Sequence, residues 1–250
     1  SHDESGNVTS QQVAGGTNNL EFDAFQRLVK FTDSGGNTTR YKHDPDGRRI
    51  RKEFSVGGKV DYYHLGAQVL NEFGSGGQQD RTFVYGPGID MPVRMQLGSG
   101  VGNKFFYARR IPGSITALTD DSGNLVESYD YKVFGETRIF DNSGTDITVA
   151  SNGLGNQGNP YMYHGRRKEE NGLYFFRARY LDTALGRFLQ KDPIGDFGDS
   201  MNVGNGQSFC GNNPVNWIDP FGLKGKGFFE NLGESLAGIK DGIVDLGKGV

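Results

Sequence analysis

Turn chemistry interrupts this chain every few residues, which limits it to short antiparallel strands. From Leu20 onward, alternating runs are separated by Asp44-Pro45-Asp46-Gly47, by Gly74-Ser75-Gly76-Gly77, by Gly86-Pro87-Gly88 and by Asp120-Asp121-Ser122-Gly123-Asn124. Gly supplies positive φ, Pro presets its own φ, and Asp and Asn bond back to the backbone, so each break reads as a hairpin turn. Residues 60–72, 81–85, 105–110, 114–119 and 125–131 read as the strands between them. An aromatic-Asp-x-x-x-Arg unit begins at Phe22 and Asp23, and a fuller version spans residues 41–50, about twenty residues later. That period fits stacked supersecondary repeats. With 40 glycines and many aromatics, the composition predicts an all-β chain of stacked antiparallel β-hairpins.

At 250 residues the chain suffices for one large β domain or two small ones. A net charge of −3 gives no global reason to expect nucleic acid as a partner. The single Cys210 rules out an intrachain disulfide framework, and a small buried residue is the expected role. His2, His43, His64 and His164 are scattered without metal-ligand spacing, and the loop 98–102 is followed by Lys104-Phe105 rather than by a phosphate-cradling pattern. No metal or cofactor is therefore expected. No apolar run approaches the length of a membrane span. Residues 1–19 are polar and begin without methionine, which reads as a fraying end on a piece of a longer polypeptide.

Residues 161–223 carry the candidate chemistry. Two Asp-Pro-x-Gly units stand there, at Asp192-Pro193-Ile194-Gly195 and Asp219-Pro220-Phe221-Gly222. Residues 173–180 read as one strand, with Tyr174, Phe176, Ala178 and Tyr180 on one face and Leu173, Phe175, Arg177 and Arg179 on the other. Arg177 and Arg179 would then lie on one side, roughly 7 Å apart, and such an end needs anions. Asp before Pro with Gly following is most often a turn and nothing more. A second such unit nearby and an arginine-ended strand before the first make a site of carboxylates and a cation worth weighing. Residues 141–158, polar and glycine-rich, read as a surface loop. After a linker at 224–227, Phe229, Leu232, Leu236, Ile239, Ile243, Leu246 and Val250 form an apolar helical stripe weakened by Gly233, Gly238, Gly242 and Gly247. A short helix that forms only against a partner is expected there.

The segments GLYFFRARYLDTALGRFLQKDPIG and GNNPVNWIDPFGL, with YDYKVFGE before them, resemble the RHS-repeat-associated core domain of Rhs and YD-repeat proteins and of the Tc toxin C component. The unit at residues 41–50 resembles the YD repeat. The core likeness covers residues 105–223; it departs at Thr183, where proline is usual, and in 196–207, which is longer and lacks a usual tyrosine. The resemblance implies a polar N-terminal end at 1–19, YD-repeat strands at 20–104, the core at 105–223, and the start of a variable toxin or effector region at 224–250. It implies a shell that spirals around the C-terminal toxin and an aspartyl autoprotease that cuts the Leu223–Lys224 bond. Asp192 and Asp219 become the acidic pair and Arg179 the supporting cation, with Arg187 as a rival for that place. The implied partners are the chain's own toxin segment, delivery machinery and an immunity protein, and the implied location is outside the producing cell. Two adjacent carboxylates do not both ionise cheaply, so one holds a proton while the other activates water. Asp219 lies only four residues before the scissile carbonyl, roughly 13 Å if extended, so the chain must fold back. The rival reading is a non-enzymatic YD-repeat scaffold for adhesion or carbohydrate, with aromatic strands such as 105–107 as the platform.

Overall fold

The computed structural model describes residues 1–99, 103–110, 112–202 and 204–227; the apolar stripe from Phe229 to Val250, read as a docking helix, lies outside them. Thirteen strands form one antiparallel sheet whose spatial order is the sequence order. They are β1 (Ser10–Val13), β2 (Gly16–Phe22), β3 (Leu28–Thr32), β4 (Thr38–His43), β5 (Arg49–Phe54), β6 (Gly58–Leu65), β7 (Gln68–Phe73), β8 (Gln79–Tyr85), β9 (Pro92–Leu97), β10 (Lys104–Arg109), β11 (Ile115–Thr119), β12 (Leu125–Tyr131) and β13 (Thr137–Asp141). The expected all-β meander of hairpins is what forms. Among the described residues, helical backbone is confined to two single 3-10 turns, Tyr163–Gly165 and Cys210–Asn212.

One side-chain device closes many of the turns. An aspartate at or just past a strand end accepts from the backbone amides two and four residues on. Asp33 Oδ1 accepts from Gly35 N at 2.9 Å and Asn37 N at 2.8 Å, while Asn37 Nδ2 donates to Asp33 Oδ2 at 2.9 Å. Asp120 does the same with Ser122 and Asn124, and Asp23 with Phe25 and Arg27. The carboxylate replaces missing ladder partners in the turn, which explains why aspartate recurs at that place in each repeat.

Four further strands, β14 (Arg167–Lys168), β15 (Tyr174–Phe176), β16 (Arg179–Asp182) and β17 (Arg187–Phe188), make a small sheet that packs on the inner face of the large one. Tyr174, Phe176 and Leu181 join a core with Phe83, Met95, Leu118 and Ile139, whereas Leu173, Phe175 and Tyr180 join another with Leu20, Leu28, Phe31 and Tyr41. The small sheet thus plugs the curve of the large one and separates two apolar cores. A last pair, β18 (Trp217–Ile218) and β19 (Lys226–Gly227), closes the described chain.

The structure corrects several expectations. Residues 173–180 are a hairpin, not one strand: Phe176 pairs with Arg179 across a two-residue turn, Arg177-Ala178. Arg177 has φ 63°, a region that suits glycine, and it is held there by bonds to Asp90 at 2.7 and 3.0 Å and to the Ala67 and Pro220 carbonyls. The reversal swaps faces after the turn, so Tyr180 sits opposite Phe175 and Arg177 and Arg179 do not share a side. Residues 1–19 do not fray. They supply β1 and most of β2, Val8 N donates to the Leu189 carbonyl at 2.8 Å, and Gln11 Nε2 donates to Asp182 Oδ2 at 2.6 Å. Their polar side chains find partners on the plug, which composition alone does not reveal. Residues 142–158 are turns as expected, but Ile147 turns inward to the core.

Buried charge ties plug to shell. Arg49 Nη2 donates to Glu169 Oε1 at 2.7 Å and Arg49 Nη1 to the Tyr180 hydroxyl at 2.9 Å, while Lys52 lies 3.1 Å from Glu169 and 2.7 Å from Glu170. Glu72 binds Arg81 and Arg167 in the same manner. Removing one member of such a pair strands its partner without water, so Arg49→Met should lower stability by about 3 kcal/mol in urea titrations. Burial raises the Glu169 carboxyl, but Arg49 and Lys52 outweigh this and hold it at about 2 rather than 4.5; Glu72 is held at about 2 by Arg167 and Arg81 against the same burial. A carboxyl depressed in the folded state stabilises the fold above its unfolded value, and this is lost as pH falls toward the folded value. The contribution of both groups should therefore be intact above about pH 4.5 and disappear between about 4.5 and 2, read as falling urea midpoints.

Candidate active site

Arg179 opens β16, immediately after the tight turn, and its side chain is wholly buried. A guanidinium without water needs partners in its own plane, and four residues on three loop segments supply them. Nε donates to the Gly222 carbonyl at 2.6 Å and Nη1 to the Gly206 carbonyl at 3.0 Å. Nη2 lies 2.9 Å from Asp192 Oδ2 and 3.3 Å from Asp219 Oδ2. The Phe188 ring stacks beneath, 3.9 Å from Cζ.

Each carboxylate is aimed by its own turn. Asp192 Oδ1 accepts from Ile194 N at 3.1 Å, and Gly195 N donates to the Asp192 carbonyl at 3.0 Å. Asp192 Oδ2 makes an ion pair with Arg179 at an angle that forms no hydrogen bond. Asp219 Oδ1 accepts from Leu223 N at 3.0 Å and from Lys224 N at 3.2 Å. The chain has therefore folded back as the short spacing requires, and Asp219 touches the amide nitrogen of the Leu223–Lys224 bond. Gly222 makes this possible with φ 67°, packed under the Phe176 carbonyl.

Burial raises both aspartates above the ordinary carboxylate value, with Arg179 and the backbone amides pulling the other way. Burial in turn lowers Arg179, against the pull of Asp192 and then Asp219. Burial and the neighbouring negative charges thus favour the protonated form of each aspartate more than in a free carboxylate, and Arg179 opposes this.

Asp192, Asp219 and Arg179 thus converge, with Leu223 and Lys224 beside them. Arg187 does not join: it is exposed on β17, opposite Asp182. Arg177 binds Asp90, which sequence reasoning did not single out because it lies in a glycine-rich turn far along the chain. Asp199 was missed as well. It is buried, with Oδ2 accepting from Gly225 N at 3.1 Å, and no motif marks it. A cleft of about 450 Å³ opens alongside, walled partly by Pro193, Phe221, Leu223, Val69 and Phe175. Among the described residues no group of three or more His, Cys, Asp or Glu side chains is arranged to hold a metal.

The comparisons with known proteins agree with this architecture. The family model for the RHS repeat matches residues 22–53, the Asp-clasped hairpins of β3 and β4 among them. The tRNA nuclease WapA of Bacillus subtilis (strain 168) is 33% identical over 229 residues, 89% of this chain and 9% of that protein. Double-stranded DNA deaminase toxin A of Burkholderia cenocepacia (strain H111) is 26% identical over 253 residues, 90% of this chain and 17% of that protein. Among solved structures, the TcdB2-TccC3-Cdc42 crystal structure matches with a TM-score of 0.67 at 23% identity, covering 89% of this chain and 11% of that one. The class is a β shell of stacked repeat hairpins. Within it, residues 22–53 match the RHS repeat, and the chain spans only about a tenth of the WapA relative to which it is similar.

Gly222 gives the site its own structural test. A methyl group there would fall on the Phe176 carbonyl oxygen and come within 3.2 Å of Arg179 N. Gly222→Ala should lower stability by at least about 1–3 kcal/mol, the usual cost of forcing a left-handed residue, seen as a reduced urea midpoint.

Proposed function

We propose that this chain is the closing part of an RHS shell that encloses a C-terminal toxin and cuts it free by aspartyl autoproteolysis. In this reading residues 20–104 are YD-repeat wall, residues 105–223 are the RHS-associated core, and residues from 224 onward begin the effector. The toxin-named relatives and the toxin-complex fold support the general setting of a toxin delivered outside the producing cell; delivery machinery and an immunity protein are further partners of this reading. The carrying observation is the buried Arg179 shared by Asp192 and Asp219, with Asp219 Oδ1 3.2 Å from Lys224 N.

The chemistry follows from that arrangement. The ionised member of the pair takes a proton from water as the water oxygen attacks the Leu223 carbonyl carbon. The protonated member gives its proton to Lys224 N as the C–N bond breaks, leaving a carboxylic acid on Leu223 and an amine on Lys224, which exchange one proton to end as carboxylate and ammonium. In this reading Asp219, whose Oδ1 accepts from Lys224 N before reaction, is the member nearer the leaving nitrogen, and Asp192, ion-paired with Arg179, is the one that activates the water. Arg179 holds the negative charge of the pair and polarises the adjacent Gly222 carbonyl. Since burial moves both carboxyls upward, the working single-proton state extends to higher pH than for free carboxylates and is lost on either side. The shell provides a single substrate, its own backbone, so each molecule turns over once.

Asp192→Asn keeps shape but removes the titrating group, and the cleavage rate should fall by at least about 100-fold in a folded protein. Arg179→Ala should slow cleavage as well by weakening the ionised partner. Intact mass against time, on protein made by cell-free translation, reads both. Full-rate processing of folded Asp192→Asn would remove Asp192 from the mechanism, and an unprocessed wild-type chain would favour the non-enzymatic scaffold.

A further inference from the structure

The chain on the amine side of the Leu223–Lys224 bond is held as firmly as the chain before it, by groups outside the dyad. β18 leads directly into Asp219, and β19 returns to pair with it, Trp217 with Gly227 and Ile218 with Lys226. The bond therefore sits inside a closed loop. Within that loop three successive amides meet carboxylates: Leu223 N and Lys224 N on Asp219, and Gly225 N on Asp199. Asp199 is buried and fixed, since Met201 N donates to Oδ1 at 2.9 Å and Asn202 Nδ2 to Oδ2 at 2.8 Å. Asn202 is buried too, and its Oδ1 accepts from Gly211 N at 2.9 Å, which ties the pair to the 3-10 turn at Cys210–Asn212. Space is restricted where Gly225 lies: an added Cβ would come within 3.0 Å of Met201 Sδ.

We infer that Asp199, oriented by Asn202, is a positioning residue for the self-cleavage proposed above. It takes no part in proton transfer. By fixing Gly225 N it stops the Leu223–Lys224 peptide from rotating away from Asp219, so the leaving nitrogen stays in reach of its proton donor. A displacement of about 1 Å at a reacting group is enough to cost up to about 100-fold in rate. The inference rests on the proposed autoproteolysis, and the experiment separates the two.

Cleavage of the full chain is followed by intact mass after cell-free translation, across pH, for wild type, Asp199→Ala, Asp199→Asn, Asn202→Ala, Gly225→Pro and the Asp199→Ala/Gly225→Pro double variant, with circular dichroism to select folded proteins. Asp199→Ala should slow cleavage between about 10- and 100-fold, and because its charge also acts on Asp192 and Asp219, the midpoints of its pH profile should coincide with those of Asp199→Asn, which removes the same charge. Asp199→Asn, which keeps an oxygen for Gly225 N, should recover part of the rate. Gly225→Pro removes the same N–H from the other side, so the double variant should be no slower than the slower single one. If Asp199→Ala does not fold, Asp199→Asn and Asn202→Ala carry the test, each with a smaller loss, and Asn202→Ala, which keeps the Asp199 charge, with wild-type midpoints. Cleavage at the wild-type rate in folded Asp199 variants overturns the inference and leaves the autoprotease standing. Complete loss in folded Asp199→Ala and Asp199→Asn alike, with no recovery by the amide, overturns it differently, by making the Asp199 carboxyl itself part of the proton transfer. No cleavage in wild type removes the underlying function, a result visible before any variant is compared.

Discussion

A single buried cation organises the centre of this protein. Arg179 has no access to water, so every polar atom of its guanidinium must be met by protein or the fold loses several kcal/mol. The partners come from residues 192, 206, 219 and 222, pieces of loop with almost no regular structure of their own. Burying the arginine is what gathers those loops into one place. The reverse dependence also holds, because an unpaired buried aspartate is as costly as an unpaired arginine. Site and plug are therefore one cooperative unit, with Phe188 and Phe209 of the apolar core directly beneath.

The same logic recurs at larger scale where shell meets plug. Arg49, Lys52, Arg167 and Arg81 from several segments face Glu169 and Glu72 across the interior, and Tyr41, Tyr62 and Phe175 stack around Arg49. Such pairs are poor sources of net stability compared with hydrophobic contact, because desolvation consumes much of the attraction. What they add is discrimination. An apolar plug would slide along an apolar wall at little cost, whereas each guanidinium accepts only a position that supplies its carboxylate. That matters for a long sheet of similar hairpins, where neighbouring registers offer near-identical surfaces.

How much was legible in the sequence follows from the range of the forces involved. Hairpins are local: an aspartate bonds amides two and four residues away, so the turns at Asp44 and Asp120 were readable directly. The two Asp-Pro-x-Gly units are local as well, and they do form the turns that aim Asp192 and Asp219. Residues 173–180 read as one strand because the turn within them contains Arg177 and Ala178, not glycine or asparagine. Its left-handed arginine is held by Asp90, a partner far along the chain that no local rule can supply. Residues 1–19 were read as loose for the same reason, since their order comes from the Leu189 carbonyl and Asp182. Asp199 carries no signal because what it does in the structure is accept from backbone amides, those of Met201 and Gly225, a task that many loop residues could perform.

The arrangement also explains why glycine and proline surround the bond between Leu223 and Lys224. A carboxylate that must reach a peptide four residues downstream needs a reversal tighter than a helix turn, and Pro220 with Gly222 at φ 67° provides it. Once reversed, the segment is enclosed by β18 and β19, with Gly225 under Met201. The pairing of β18 with β19 keeps the peptide against Asp219, whose Oδ1 accepts from both Leu223 N and Lys224 N. The bond is thereby fixed by its own chain, with Leu223 half-buried on the wall of the cleft and Lys224 exposed. A peptide presented in this way needs no separate binding step, because the turn that aims the carboxylate also delivers the bond.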